Sequence, residues 1–593
     1  MKTLFTLLLG LLCLQSLAQT GVAVPELAHC DESVQDFMRR WKVRGASVAI
    51  SKDGQLVYNR AFGYADAAHS LPLQPYHLLR VASVSKPVTA LAVMKLVETG
   101  QLHLSDKVFG PQGLLSGPAY TREIQDPRLY DITVQHLLEH SAGWDRSQGC
   151  DGHSTCDPID FPTQVARVMR VPNPVGDSTL VRYMLRQGLN FAPGTRFAYS
   201  NVGYLVLGKV LEAVTHRPYE DWVREHVLLP SGILEARLGR SLPAQRGERE
   251  SSYDSRYQMP SAFAPARRVP AADGGIHLEA MNAHGGWLFS ARDLVRLALA
   301  ADGLPSRPDL LAPATLRSMV QPSAVSTWYG LGWMVHGDTW WHSGLLDGTA
   351  SLVTRAPSGY TWAILLNTGS GSAQFWRELQ ELGNSWIRDA SSWPAHDLFA
   401  PEMNAGLLRA SSSDSAFAQL SWVNGSGTGR LLLLRPDKAG TSFPLDGTSY
   451  PVGRELPDGT LVAANGPGST ALLARLDPQR SYYARVVEYR QDSSTAFRPI
   501  YTLDGNPQLV LTPEELAHSS PLTLYPNPAL GEVHVAGTSR NLLYHLFTQQ
   551  GGLVQKGELE PNKPLPVRDL PPGQYVLRIV REEREDLLRF VKE

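Results

Sequence analysis

Three short stretches of the sequence carry residue types that could do chemistry together. The first is Ser83-Val84-Ser85-Lys86. On a helix, residues three apart share a face, so Ser83 would lie beside the Lys86 ammonium. A serine hydroxyl is a weak nucleophile until a base takes its proton. A lysine desolvated in a cleft, or set beside another cation, loses enough basicity to act as that base. Ser83 would also sit near a helix N-terminus, where free backbone N–H groups favour a developing oxyanion. The second stretch is Tyr199-Ser200-Asn201, where a loop meets an apolar helix. Alternate residues of an extended loop share a side, so Tyr199 and Asn201 can face one cleft. A phenol near a lysine ammonium is stabilised as phenolate and suits a proton shuttle. Asn201 can both accept from and donate to a substrate amide. The third is His342-Ser343-Gly344. Gly344 would let a substrate backbone approach a strand edge, and His342 offers a switchable charge.

Each stretch also has a plain structural use. Ser83 could be a helix cap, Asn201 an N-cap with Tyr199 as packing, and His342 an ordinary strand histidine. Pro87 removes a donor and biases Lys86 away from helical angles, which predicts an irregular first turn.

The elements that must hold these residues follow from periodicity. Residues 31–42 repeat Val34, Phe37, Met38 and Trp41 at helical spacing. ASVAISKDGQLVYNRAFGY alternates around Lys52-Asp53-Gly54, a hairpin signal. A helical pattern runs from Ser83 to Gly100, and residues 101–325 read as mostly helical with long loops. The period then returns to two. YGLGWMV, TWWHSG, TASLVTRAP and YTWAILLN form an antiparallel meander with turns at His336-Gly337-Asp338 and Pro357-Ser358-Gly359. A helix, SAQFWRELQELGNSWIRDA, closes the region. The economical fold is α/β (α+β). One antiparallel sheet of about five strands is built from both ends of the region, covered by the terminal helices, with a helical lobe inserted. The cleft between the lobes is the natural binding place.

The chain has 593 residues, too many for one core. It is 19% charged with a formal net charge of −2, and no basic stripe or acidic tail stands out. Nucleic acid and anionic membranes are therefore not expected as partners. Residues 1–18 read as a secretory signal, with Lys2, an apolar Leu4–Leu14 stretch and Ser16-Leu17-Ala18 as the cleavage site. Leu12 stands before Cys13 where a lipoprotein signal wants a small residue. No later run is long and apolar enough to span a bilayer. Export permits disulfides: Cys150 and Cys156 bracket the loop CDGHSTC and could close it or stay free thiols, and Cys30 is left over. Past the linker SSWPAHDLFAPEM, residues 403–512 are short alternating segments that read as a β-sandwich, and 519–593 as a second small all-β unit.

Serine-x-x-lysine, tyrosine-x-asparagine and basic residue-x-glycine, in this order, resemble the serine β-lactamase and penicillin-binding-protein family. The likeness is greatest to class C enzymes and their D-peptidase and esterase relatives. GQLVYNRAFGYAD, ITVQHLLEHSAGW, FAPGTRFAYSN, HGGWLFSARDL and YGLGW resemble family segments, and the hydrolase domain is set at 27–395. The resemblance implies that Ser83 is acylated and that Lys86 and Tyr199 share the general-base and general-acid work. It implies that Asn201 orients the substrate, and that the backbone N–H groups of Ser83 and Leu345 form the oxyanion hole. His342 stands where β-lactamases carry lysine. That departure favours a D-peptidase or esterase-like hydrolase over a β-lactamase, with a small-molecule or peptide substrate and no cofactor. A non-catalytic penicillin-binding protein or sensor is the reading from another class.

At the other end, LYPNPALGEVHV, LFTQQGGLV, LPPGQYVLRI and RFVKE resemble the C-terminal sorting domain of the type IX secretion system. This implies the secretion machinery as a partner, passage across both membranes, and release or surface attachment. Residues 403–512 resemble a fibronectin type III module only loosely. One further motif, His136-Leu137-Leu138-Glu139-His140, fits an inverted zinc-protease signature. The same segment matches a family helix that holds no metal, so no metal is expected.

Overall fold

The computed structural model describes residues 18–593, apart from 415–416, 475, 478, 492–498, 504, 514–521, 537–540, 550–551, 562 and 582–583. The signal segment therefore lies almost wholly outside the described residues. The chain divides after Phe399 into two compact units.

The first unit is organised by a seven-stranded antiparallel sheet. Its strands are β1 (Gln19–Gly21), β2 (Gly45–Lys52), β3 (Gln55–Gly63), β4 (Met334–His336), β5 (Thr339–Leu346), β6 (Thr349–Arg355) and β7 (Tyr360–Leu366). The order across the sheet is β1-β3-β2-β7-β6-β5-β4. β2 and β3 are joined by Asp53 and Gly54 at φ +51° and +80°. Two consecutive left-handed residues make the turn whose twist matches that of the paired strands, and Asp-Gly is well suited to it. The β2–β7 pair, with Ala49 opposite Ala363, joins the two ends of the unit into one sheet. The sheet has seven strands where about five were expected: the segment YGLGWMV, read as a strand, contributes only the short β4 at one edge, and β1 adds an unforeseen short strand at the other. Three residues are too few to show a period.

Helices α1 (Ala28–Trp41) and α5 (Ala373–Asp389) pack on one another. Phe37 and Phe375 rings lie 5.2 Å apart and Trp41 and Phe375 5.3 Å apart. In α5 the buried residues are Phe375, Leu379, Gly383 and Trp386, a single stripe. Gly383 is glycine because a Cβ there would lie 2.1 Å from the Trp362 ring of β7. A further helix, α4 (Ala291–Leu299), packs on β2, β6 and β7.

The inserted lobe contains α2 (Ser85–Glu98) and α3 (Asn201–Thr215). α2 is buried on nearly all sides, so it reads as a core helix rather than an amphipathic one. Pro87 falls in its first turn, where the missing N–H would have had no partner, and the helix runs straight through it. The irregularity expected there lies one step earlier, in a 3₁₀ turn at Ala82–Val84.

Among the described residues, the second unit, Ala400–Glu593, is built mainly of β-strands. Strands between 406 and 511 form two sheets around a core that includes Leu420, Leu432 and Val486. Strands between 523 and 592 form two more around Leu546, Leu577 and Ile579. Among the described residues, no helix is long and apolar enough to cross a membrane.

Candidate functional site

Ser83 is delivered by backbone that is pinned on three sides. The short strand Leu79–Arg80 pairs with Trp287–Phe289, and Val81 N–H donates to Trp287 O at 3.0 Å. From β6, Thr349 Oγ1 donates to Arg80 O at 2.9 Å and Ser351 Oγ to Val81 O at 2.6 Å. The Arg80 side chain is buried and donates to Ala272 O at 2.7 Å and Arg240 O at 3.0 Å. Ala82, just before the serine, holds φ +48°. For a residue with a Cβ, left-handed backbone costs about 1–2 kcal/mol, and here the pinned neighbours hold it. β5 passes so close that a Cβ on Gly344 would lie 2.2 Å from Val81 O and 3.0 Å from Ser83 N. Gly344 was expected to admit a substrate backbone. It admits the nucleophile's own turn instead.

Lys86 is completely buried. Its Nζ lies 3.1 Å from Ser83 Oγ, 2.8 Å from Asn201 Oδ1 and 3.2 Å from His284 O. Lys86 Nζ therefore faces two fixed acceptors and one hydroxyl, which can accept from the ammonium or donate to the lone pair of the neutral amine. Burial pushes the Lys86 pKa well below the usual lysine range; the Arg146 charge adds to this and Asp157 opposes it.

Tyr199 stands over the same amine, with Lys86 Nζ 4.7 Å from its ring centre, and it hydrogen-bonds to Ser83. Burial pushes the phenol pKa upward, outweighing the Ser83 bond and the Arg146 charge that pull it down. The phenolate expected from the sequence is thus not the favoured form, because burial of the phenol outweighs the groups that would stabilise its charge. Asn201 is held at both ends: Oδ1 accepts from Lys86, and Nδ2 donates to Asp157 Oδ2 at 2.6 Å. Asp157 lies 3.6 Å from Arg146 Nη1, and the Arg146 guanidinium lies 5.2 Å from the Tyr199 ring centre. Neither Arg146 nor Asp157 was foreseen. Both come from the loop of residues 144–161, closed by the Cys150–Cys156 disulfide. Cys30 is a free, buried thiol.

His342 requires a correction. Its side chain is completely buried, behind the cleft rather than in it. Burial, with the Lys86 charge, pushes its pKa down to about 3, so it brings no charge at neutral pH. It belongs to an ordered chain of hydrogen bonds. Ser200 N–H donates to His140 Nδ1 at 3.2 Å, His140 Nε2 meets Tyr329 Oη at 3.1 Å, and Tyr329 Oη meets His342 Nε2 at 3.3 Å. His342 Nδ1 ends the chain on Ser343 O at 2.8 Å. The two fixed ends dictate the rest: His140 donates to Tyr329, and Tyr329 donates to His342. The chain ties the Tyr199–Asn201 loop to β5. The residues of β5 that line the cleft are Ser343, Leu345 and Leu346.

His140 is thereby accounted for without metal. It lies beyond the helix Val134–Leu138 at φ +59°, and His136 Nδ1 accepts Thr133 N–H at the start of that helix. Among the described residues, no three His, Cys, Asp or Glu side chains are grouped to hold a metal ion.

The cleft has a volume of about 430 Å³ and is lined by Ser83, Tyr199 and Asn201, with Trp328, Trp376 and Leu345 as apolar walls. Its charged lining residues are Arg146, Asp157 and Asp160. Burial and the nearby Asp157 raise the Asp160 carboxyl to about 6. A hydroxyl beside a desolvated amine and a neutral phenol, opening on a cleft, can support attack on a carbonyl.

Comparison with known proteins identifies two family models in the chain. The Beta-lactamase family model matches residues 30–384, and the model of the Secretion system C-terminal sorting domain matches residues 523–593. A penicillin-binding protein of Bacillus subtilis (strain 168) is 25% identical over 332 residues, 52% of this chain and 64% of that protein. Esterase EstB of Burkholderia gladioli is 30% identical over 225 residues, 35% of this chain and 50% of that protein. The chain thus spans less than two-thirds of the length of these two relatives. Among solved structures, the D-amino acid amidase of Ochrobactrum anthropi SV3 aligns with a TM-score of 0.48 and 22% identity, covering 62% of this chain and 100% of that one.

Proposed function

Since this chain belongs to the β-lactamase family, we propose that it is an exported serine hydrolase that cleaves a peptide, amide or ester carbonyl through an acyl-enzyme. The observation that carries the reading is the buried Lys86 Nζ, 3.1 Å from Ser83 Oγ and pushed towards its neutral form. Neutral Lys86 takes the Ser83 proton as Oγ bonds to the substrate carbon. The carbonyl oxygen gains charge and is held by the Ser83 and Leu345 backbone N–H groups. When the intermediate collapses, the bond to the leaving group breaks. The leaving group takes a proton from Tyr199 O–H, which Lys86 replenishes. Water then attacks the ester carbonyl, giving its proton back through Lys86 to Ser83 as the acyl group departs.

The buried, neutral His342 argues against a β-lactamase, because the carboxylate of a β-lactam would find no lysine charge on this strand. The reading is tested with three substrates: a p-nitrophenyl ester, a peptide ending in D-alanyl-D-alanine, and a chromogenic cephalosporin. The expected result is turnover of the ester or the peptide well above the cephalosporin, lost in Ser83→Ala, and fluorophosphonate labelling confined to Ser83. Failure of the wild type to label at Ser83 would leave the non-catalytic binding protein as the better account.

The pH profile carries a prediction of its own. Lys86 must be neutral to act, so activity is present above its lowered pKa and is lost as pH falls through it. The Arg146 cation contributes to that lowering. In Arg146→Ala the Lys86 pKa rises, and the acidic limb of kcat/KM should move to higher pH; a limb that stays put or moves down would contradict Lys86 as the titrating base.

Residues 523–593 carry the sorting domain, which indicates export by type IX secretion to the cell surface or beyond. We assign 1–18 as a signal removed at the inner membrane, 27–395 as the hydrolase, 403–512 as a fibronectin III-like β-sandwich, and 519–593 as the sorting module. The last would be removed after passage through the outer membrane.

A further inference from the structure

The loop of residues 144–161 has no periodic pattern, yet it sends two charged side chains into the centre of the site. Its shape is set locally. The Cys150–Cys156 disulfide closes it, and Cys156 N–H donates to Arg146 O at 2.9 Å. The His153 ring stacks on Phe161 at 3.9 Å, and Tyr183 Oη donates to Asp151 at 2.6 Å. The residue after Cys156 is Asp157, which is 2% exposed.

A side-chain amide can face either way. Burial raises the Asp157 pKa, opposed by the Arg146 charge, the Asn201 bond and Lys86. The Asp157 Oδ2, which also faces Arg146 Nη1 at 3.6 Å, accepts from Asn201 Nδ2 at 2.6 Å, and this contact sets the amide NH₂ towards it. The amide oxygen is then left to accept from Lys86, as the 2.8 Å contact records. Were the amide turned over, its NH₂ would donate to the Lys86 lone pair, the one Ser83 needs.

We propose that Asp157 is a positioning residue: it fixes the orientation of Asn201 so that the Lys86 lone pair stays available to Ser83, and the Cys150–Cys156 disulfide holds it there. This rests on the reading of Lys86 as the base. The charges acting on Lys86 are those of Arg146 and Asp157, the latter's carboxyl raised by burial against the pull of Arg146; Tyr199, Tyr204, His140, His284 and His342 also surround the site, and burial favours their neutral forms.

Three variants of the full-length protein test it, with kcat expressed per site titrated by fluorophosphonate. Asp157→Ala should lower kcat by on the order of 10² with little change in KM. Asp157→Asn can still turn an oxygen towards Asn201 Nδ2, so it should recover most of that loss. Both remove the negative charge, so both should move the acidic limb of the pH profile to lower pH. Cys150→Ser/Cys156→Ser should lower kcat less than Asp157→Ala and leave the limb in place, because the charges remain. A merely structural role would reduce the titrated fraction without changing kcat per site. The orientation argument is overturned by wild-type kcat per site in Asp157→Ala, or by an Asp157→Asn as poor as the alanine variant. Wild-type kcat per site without the disulfide overturns that part. A wild type that never labels at Ser83 removes the hydrolase reading and this proposal with it, a different result from either.

Discussion

Lys86→Ala is expected to abolish ester turnover almost as completely as Ser83→Ala, by on the order of 10⁶ in kcat, with the double variant no worse than either single one. The two side chains act in one event, the transfer of the Ser83 proton, and removing either half removes all of it. The surroundings leave no substitute for the lysine. His284 presents its backbone carbonyl to Lys86, and its ring nitrogen Nε2 is buried without a partner. Tyr199 is favoured as the phenol, a poor acceptor. Tyr199→Phe should therefore cost less, on the order of 10²–10⁴, the usual range for one proton-transfer group. Single-turnover acylation with a p-nitrophenyl ester distinguishes the cases. If Lys86→Ala acylated faster than Tyr199→Phe, the phenol would be the base and the assignment would be reversed.

The second large effect is expected from a single methyl group. Gly344→Ala places a Cβ 2.2 Å from Val81 O, 2.5 Å from Ser351 Oγ and 3.0 Å from Ser83 N. None of these can give way freely: Ser351 is bonded to Val81 O, and the Arg80 carbonyl is held by Thr349. β5 must therefore retreat from the nucleophile turn, and with it Leu345, whose N–H is assigned to the oxyanion. Losing one such donor typically lowers kcat by about 10²–10³, and overpacking of this kind typically costs about 1–3 kcal/mol of stability. Thermal denaturation beside kcat per titrated site separates the two effects. Unchanged kcat in a merely destabilised Gly344→Ala would show that the oxyanion is held elsewhere.

Much of the scaffold was legible because its signals are local. Asp53-Gly54 announced the first hairpin, and the segments GRLLLLRP and YYARVVEY, read as strands, form Gly429–Pro436 and Tyr482–Arg490, the first buried along nearly its whole length rather than in alternation. Ser83, Lys86, Tyr199 and Asn201 could be picked out by spacing, and the folded chain places them within contact of one another. What stayed hidden depends on tertiary neighbours. The alternation in TWWHSGLL is readable, but both of its faces mix polar and apolar residues, so the pattern does not say which face is buried. His342 was therefore assigned to the wrong side. Arg146 and Asp157 lie in a loop with no period at all. Thr349 and Ser351 look like filler in an apolar strand until the carbonyls they bond are known. α2 is apolar all round because it is enclosed, not because it faces a single core.

The pairing of β2 with β7 bears on biosynthesis. The hairpin near the start of the hydrolase cannot find its sheet partner until the strand Tyr360–Leu366 has left the ribosome. Contacts between such distant segments are slow to form. A nascent or truncated chain ending before this strand would present β2 as an unpaired edge, a template for association with other chains, and would lack any working centre. The sheet that carries the nucleophile turn therefore cannot be completed until the strand Tyr360–Leu366 has been made.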